Sequence, residues 1–205
     1  MTTSADADTT RDRIVAAATD EFAQYGVAGA RIDRIASKAK TSKERLYAHF
    51  GGKRALYRHI AERELAMMTE ATRMDATDLP SYAGRVHDYF MAHPDHLRLL
   101  QWGRLEIAES LGNPFLSTAR RTVRSTVEQL QQAQDAGYLD PAWDPIDVMV
   151  VVTQIALAWA WQPDLVDFLA EGQVHNPSSE ARRAAIVAAV AGLFPVMAGT
   201  APAID

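Results

Sequence analysis

The sequence predicts an all-α protein, and three observations carry that expectation. Residues recur at helical spacing: Ile14, Ala17, Ala18, Glu21, Phe22 and Tyr25 follow the i, i+3, i+4 pattern that lines one helix face. Start and stop signals punctuate the chain. Asn113-Pro114 and Asp144-Pro145 each put a capping side chain before a first-turn proline, and Gly26, Gly51-Gly52 and Gly137 supply stops. No stretch alternates convincingly with period two, so no sheet is expected.

Residues 1–9 are small, polar and aperiodic, and are expected to form a flexible arm. A first helix follows from Thr10 to Gly26, and a second, short one spans Ile32 to Ala39. After Lys40-Thr41, the Ser42 hydroxyl can cap a third helix running from Lys43 to His49 or Phe50. Lys53 opens a fourth, which extends to about Arg73. Beyond it, Pro80-Ser81 starts a segment with Tyr82, Val86, Tyr89 and Phe90, and Pro94 starts one with Leu97, Leu100, Leu105 and Ile107 that ends near Gly112. A helix from Pro114 to Gln134 and another from Pro145 to Trp161 follow. A short helical piece is expected at 165–170, and Ser178 begins a last helix ending near Phe194-Pro195. The domains so read are an arm (1–9), a three-helix module (10–56) and a larger helical domain (57–205).

At 205 residues, with 48% apolar and 23% charged residues, the chain has an ordinary globular composition, which excludes wholesale disorder. It contains no cysteine, so disulfide frameworks, thiolate metal sites and cysteine nucleophiles are excluded together. No charged segment followed by an apolar stretch opens the sequence, so no secretory signal is expected. Its longest apolar run, residues 148–152, is far short of the roughly 20 residues that a membrane span needs. A soluble, cytoplasmic protein with no membrane partner is expected.

Charge is unevenly spread. Residues 1–60 carry 11 Lys+Arg against 7 Asp+Glu, while the whole chain has a net charge of −5. The four lysines, Lys38, Lys40, Lys43 and Lys53, all fall in one short stretch. A basic patch on an acidic protein is the footprint of a nucleic-acid binder, although charge alone fits a solvated surface equally well.

The second and third helices, joined by a tight turn, have the arrangement of a helix-turn-helix. A helix fits the major groove of B-DNA. Leu46 and Phe50, at i and i+4, should face the module's core, leaving Lys43, Glu44, Arg45, Tyr47 and His49 on the other faces. Lys43 or Arg45 can read guanine, and Glu44 can accept from a cytosine amine or pair with a basic neighbour. Tyr47, His49 and Lys53 suit phosphate contacts, which set register without reading sequence.

The run from Arg11 to Arg58 resembles the DNA-binding domain of the tetracycline-repressor (TetR) family of bacterial transcription regulators. The matching residues are Ile14, Ala17-Ala18, Phe22 and Gly26, then Ile32 and Ile35-Ala36. They continue with Ser42-Lys43, Leu46-Tyr47, His49-Phe50, Lys53 and Leu56. The resemblance implies base reading at Lys43, Glu44 and Arg45, and phosphate contacts at Tyr47, His49, Lys53 and Arg31, with Ser42 at the helix start. It also implies a homodimer on a pseudo-palindromic operator, with an inducer pocket and dimer face in the C-terminal domain. Two positions depart from the pattern. Ala30-Arg31 stands where relatives carry a hydroxyl residue, removing a cap worth about 1 kcal/mol. Lys40-Thr41 stands where they favour a glycine and a small apolar residue, and a left-handed lysine costs roughly 1 kcal/mol against glycine.

In the C-terminal half, the alanine-rich helix near 178–194 and the helix near 146–161, apolar nearly all round, suit a dimer interface, or else burial within one chain. All four tryptophans lie in this half. The candidate ligand lining is Tyr89, Phe90, Trp102, Glu106, Gln154 and Trp159, with Glu106 and Gln154 as polar handles; core packing is the plainer account of each. His87, His93 and His96 with Asp95 and Glu106 lack a metal-site context, and no phosphate loop or nucleophile elbow appears. The expectation is therefore a regulator and not an enzyme, without metal or cofactor. A repressor is expected, released from its operator by a small hydrophobic or aromatic molecule. The alternative is a DNA-binding module that senses no small molecule and acts through a protein partner.

Overall fold

The computed structural model describes residues 4–107, 114–162, 165, 168, 177–195 and 197. The described elements are all helical: α1 (Ser4–Gly29), α2 (Ile32–Lys38), α3 (Lys43–Phe50), α4 (Lys53–Ala71), α5 (Leu79–Ala92), α6 (Pro94–Ile107), α7 (Pro114–Asp135), α8 (Pro145–Leu157) and α9 (Ser179–Leu193). The all-α expectation is met, with a helix-turn-helix at the N-terminus.

The chain divides into two compact units, Met1–Met67 with His93–Ala119, and Met68–Ala92 with Arg120–Asp205. The sequence reading places breaks after residues 9 and 56 and does not group α6 with the N-terminal head. The structure does so through polar contacts as well as apolar ones. The buried Tyr57 hydroxyl donates to the Leu99 carbonyl (2.7 Å), and the Trp102 indole N–H donates to the Ala23 carbonyl (3.2 Å). Leu99 joins a core of Ile14, Ala18, Phe22, Ile35, Leu46, Leu56 and Ile60, where Phe22 and Tyr57 meet edge to face at 5.3 Å.

Helix α1 begins at Ser4, inside the segment read as a flexible arm. Ala5 and Ala7 are strong helix formers. Gly26 interrupts α1 as expected, at φ 68°, and the chain makes one further turn to Gly29. Between α2 and α3, Lys40 adopts φ 51°. The Lys40 N–H donates to Ser37 and the Thr41 N–H to Ala36, closing a Schellman turn on a lysine where glycine is the easy choice. Ser42 then caps α3 by accepting the Arg45 N–H at 3.2 Å, and Gly51 ends it at φ 73°.

In the second unit, α5 packs between α8 and α9. Gly84 lets α9 come close, since a Cβ there would lie 3.3 Å from Val187. The expected helix to Trp161 stops at Leu157. Beyond it the Ala158 and Gln162 N–H groups bond three residues back, to Ile155 and Trp159, which tightens the chain into a turn. The short helix expected at 165–170 lies mostly outside the described residues, although Leu165 and Phe168 are helical. The α7–α8 connection is held by the Gln134 amide, which donates to the Asp140 (3.0 Å) and Trp143 (2.7 Å) carbonyls.

Candidate nucleic-acid interface

The site is built on α2 and α3. Leu46 is fully buried and Phe50 packs against the same core, so the orientation of α3 is fixed by its apolar face. Lys43, Glu44, Arg45 and Tyr47 are left exposed and His49 half-buried, as the spacing predicts. Tyr47 is 48% exposed, an unusual state for an aromatic residue that has the option of a core.

The cations differ in what they already hold. Lys43 is ion-paired with Asp33 of α2, and this carboxylate raises the pKa of the ammonium. Lys53 donates two hydrogen bonds, to the Ala28 (3.1 Å) and Ala30 (3.0 Å) carbonyls. Lys38 pairs with Asp20 at 2.6 Å. Arg45 and Arg31 make no ion pair among the described residues. Glu44, exposed at the start of α3, has a lowered pKa because its own backbone N–H and the Ser42 hydroxyl favour its charged form.

The missing hydroxyl cap of α2 is supplied from α1. The buried Glu21 carboxylate accepts the Arg31 N–H (2.8 Å) and the Arg34 Nε–H (2.8 Å). Burial pushes the Glu21 pKa up, but the Arg34 and Arg31 hydrogen bonds, with the charges of Arg34 and Lys38, outweigh it and hold the carboxylate ionised. The Arg34 guanidinium also lies over the Tyr25 ring at 4.3 Å. Sequence reading places Glu21 on the face of the first helix without a role, and misses Asp33 and Arg34. Their only signal is a set of acidic residues within a basic stretch, and spacing does not tell which pairs will meet.

The six residues proposed to line a ligand pocket are divided between the two units. Trp102 belongs to the N-terminal unit, bonded to Ala23. In the other unit Tyr89 and Phe90 are buried edge to face at 5.2 Å, Gln154 is exposed, and Trp159 lies under the Arg182 guanidinium at 4.3 Å. Glu106 belongs to α6 in the N-terminal unit, and its side chain lies outside the described residues. Of the histidines, His96 pairs with the buried Glu64 carboxylate at 2.8 Å and stacks on His93, while His87 is buried in the other unit. Among the described residues no helix is long and apolar enough to cross a membrane.

Comparison with known proteins agrees with this geometry. Residues 14–60 match the family model described as bacterial regulatory proteins, tetR family, and residues 78–191 match the tetracyclin repressor-like C-terminal domain. The HTH-type transcriptional repressor SCO4008 of Streptomyces coelicolor is 32% identical over 155 residues, 76% of this chain and 80% of that protein. The HTH-type transcriptional repressor NicS of Pseudomonas putida is 34% identical over 102 residues, 46% of this chain and 48% of that protein. The crystal structure of SCO4942 from Streptomyces coelicolor, described as a transcriptional regulator, superposes with a TM-score of 0.82 at 52% identity, covering 91% of this chain and 99% of that one. With a head that presents a capped, basic α3 and family matches over both parts of the chain, this protein belongs to the tetracycline-repressor family of bacterial transcription regulators, and is not an enzyme.

Proposed function

We propose that the protein is a ligand-responsive repressor that binds a palindromic operator as a homodimer and is released by a small molecule. The observation that carries the DNA-reading part is α3 itself: its apolar face is locked by Leu46, its N-terminus is capped by Ser42, and Arg45 has no ion pair among the described residues. On this reading Arg45 and Glu44 contact base edges, Lys43 contributes once it exchanges Asp33 for DNA, and Tyr47, His49 and Arg31 hold phosphates. Lys53 takes a different part from a simple phosphate anchor. Its bonds to Ala28 and Ala30 tie the end of α1 to α4 and so keep the reading helix in place.

The dimer reading is supported by α8 and α9. Ile146 and Val150 are 53% and 45% exposed, and Ala181, Ala184, Ala185 and Ala188 form an exposed small-residue face on α9. These helices are apolar beyond what one chain buries, and a second copy would cover the excess. Two heads then meet successive major grooves about 34 Å apart. Localisation with the DNA in the cytoplasm follows from the same reading.

Selection from random-sequence duplexes with purified, ligand-free protein tests it. Enrichment of one palindrome is expected, and Arg45→Ala should relax the preference at particular base pairs. Equal loss of affinity for selected and random DNA in Arg45→Ala would refute base reading by that residue.

A further inference from the structure

The second unit contains an open groove of about 640 Å³, lined by Arg73, Met74, Arg85, Gln129, Gln132 and Tyr138 over a floor of alanines. None of the residues proposed from the sequence as ligand lining belongs to it. Its volume lies in the range of small-molecule sites, about 300–1,000 Å³. Its chemistry is specific. Arg85 spends one guanidinium N–H on the Arg73 carbonyl (2.9 Å), which fixes the arginine in place, while the rest of its donor fork makes no hydrogen bond among the described residues. The acidic residue of the wall, Asp75, turns its carboxylate to the Thr77 N–H (2.9 Å) and hydroxyl (2.7 Å). Across the groove, Gln129, Gln132 and Ala133 follow one face of α7, Ala136 lies just past its end, and Tyr138 comes just after Gly137, whose φ of 75° turns the chain there.

We infer that this groove binds a small organic carboxylate, its charge held by Arg85 and Arg73 and its apolar body lying on Ala133, Ala136 and Tyr138. Arginine matches a carboxylate with two parallel N–H donors, which an ammonium does not. The flanking glutamine amides suit a polar substituent, and the alanine floor leaves room for a flat ring. The inference deepens the ligand-responsive reading above and rests on it only for the consequence on DNA.

Fluorine NMR of the full-length protein with a panel of fluorinated benzoates, phenylacetates and short-chain carboxylates, each beside its neutral amide, tests the site. Binding by at least one acid, with its amide at least tenfold weaker, is expected. Arg85→Gln should weaken that acid at least tenfold, and Ala133→Trp, which fills the floor without touching the arginines, should do the same while the circular dichroism spectrum is retained. No acid binding, equal binding of acid and amide, or equal binding by both variants overturns the groove. Operator affinity measured with and without the acid separates the two readings. Binding in the groove without DNA release supports the site and refutes its role as sensor. Release that persists unchanged in both variants supports sensing and refutes the groove.

Discussion

A glycine and a tyrosine in the N-terminal unit give a sharp test of how its helices are packed. A Cβ added at Gly103 of α6 would lie 2.7 Å from the Tyr57 hydroxyl oxygen, and the next atom, Cζ of the same ring, is at 3.9 Å. Tyr57 is 1% exposed and its hydroxyl is tied to the Leu99 carbonyl, so the ring has little room to yield. Gly103→Ala alone therefore sets an overpacking cost of about 1–3 kcal/mol against the roughly 1 kcal/mol that alanine gains in a helix. The expected net is a loss of about 0–2 kcal/mol. Tyr57→Phe alone should cost about 1 kcal/mol for its hydrogen bond. In the Tyr57→Phe background the clashing oxygen is gone and 3.9 Å is ordinary contact. There Gly103→Ala should stabilise by up to about 1 kcal/mol. The double-mutant cycle thus has a coupling of about 1–3 kcal/mol with a change of sign, measurable by urea unfolding followed by circular dichroism. If Gly103→Ala costs the same in both backgrounds, within about 0.5 kcal/mol, the packing of α6 against Tyr57 is wrong.

Two further perturbations follow. Lys40→Gly should stabilise the head by about 1 kcal/mol, because φ 51° strains a lysine and not a glycine; thermal unfolding checks it, and a loss would mean that the Lys40 side chain does more than turn the chain. Burial lowers the pKa of His87, with Arg183 and Arg182 adding to it and Asp88 and the Ala156 backbone opposing. His59 and His96 are lowered for the same first reason. A histidine whose folded pKa lies below its unfolded value, about 6.5, costs nothing above that pH and destabilises as pH falls below it, by at most about 1.4 kcal/mol per unit each. The partly exposed His59 and His96 contribute less, because solvent screens them. Unfolding at about pH 7.5 and about pH 5.5, on either side of that value, should show this fall, and His87→Phe should flatten it; an unchanged slope in that variant would exclude His87 as a contributor.

The legible parts of this fold were those written locally. Capping pairs, breaking glycines and the Leu46/Phe50 spacing placed α2, α3, α7 and α9 almost to the residue, and the strained turn at Lys40 followed from the absence of glycine there. The parts that were not legible depend on residues distant in sequence. Glu21 capping α2 from α1, Lys53 reaching back to Ala28, and α6 joining the head through Tyr57 and Trp102 all need the tertiary fold to bring partners together. The aromatic residues chosen as ligand lining stay outside the groove for a related reason. Tyr89 and Phe90 pack on one another and Trp102 bonds to Ala23, whereas the groove, Tyr138 apart, is made of arginines, glutamines and alanines that a search for aromatics passes over.

The distribution of ion pairs also bears on how DNA affinity should respond to salt. Four cations of the head are committed internally: Arg34 to Glu21, Lys38 to Asp20, Lys43 to Asp33, and Lys53 to two carbonyls. Arg31, Lys40 and Arg45 have no ion pair among the described residues. A cation that keeps its carboxylate brings no net charge to a phosphate, so the unpaired ones should set the salt dependence. Each neutralised phosphate contributes about −0.9 to the slope of log K against log salt, so Arg31 and Lys40 on each of two heads give about −4, with Arg45 kept for a base edge. Asp33→Asn frees Lys43 without altering its reach. If Lys43 then meets a phosphate, the slope should steepen by about 0.9 per head; if it meets a base edge, selectivity should change and the slope should not. A wild-type slope near about −10, unaltered in Asp33→Asn, would mean that the internal pairs dissolve on DNA and that the unpaired cations do not set the salt response.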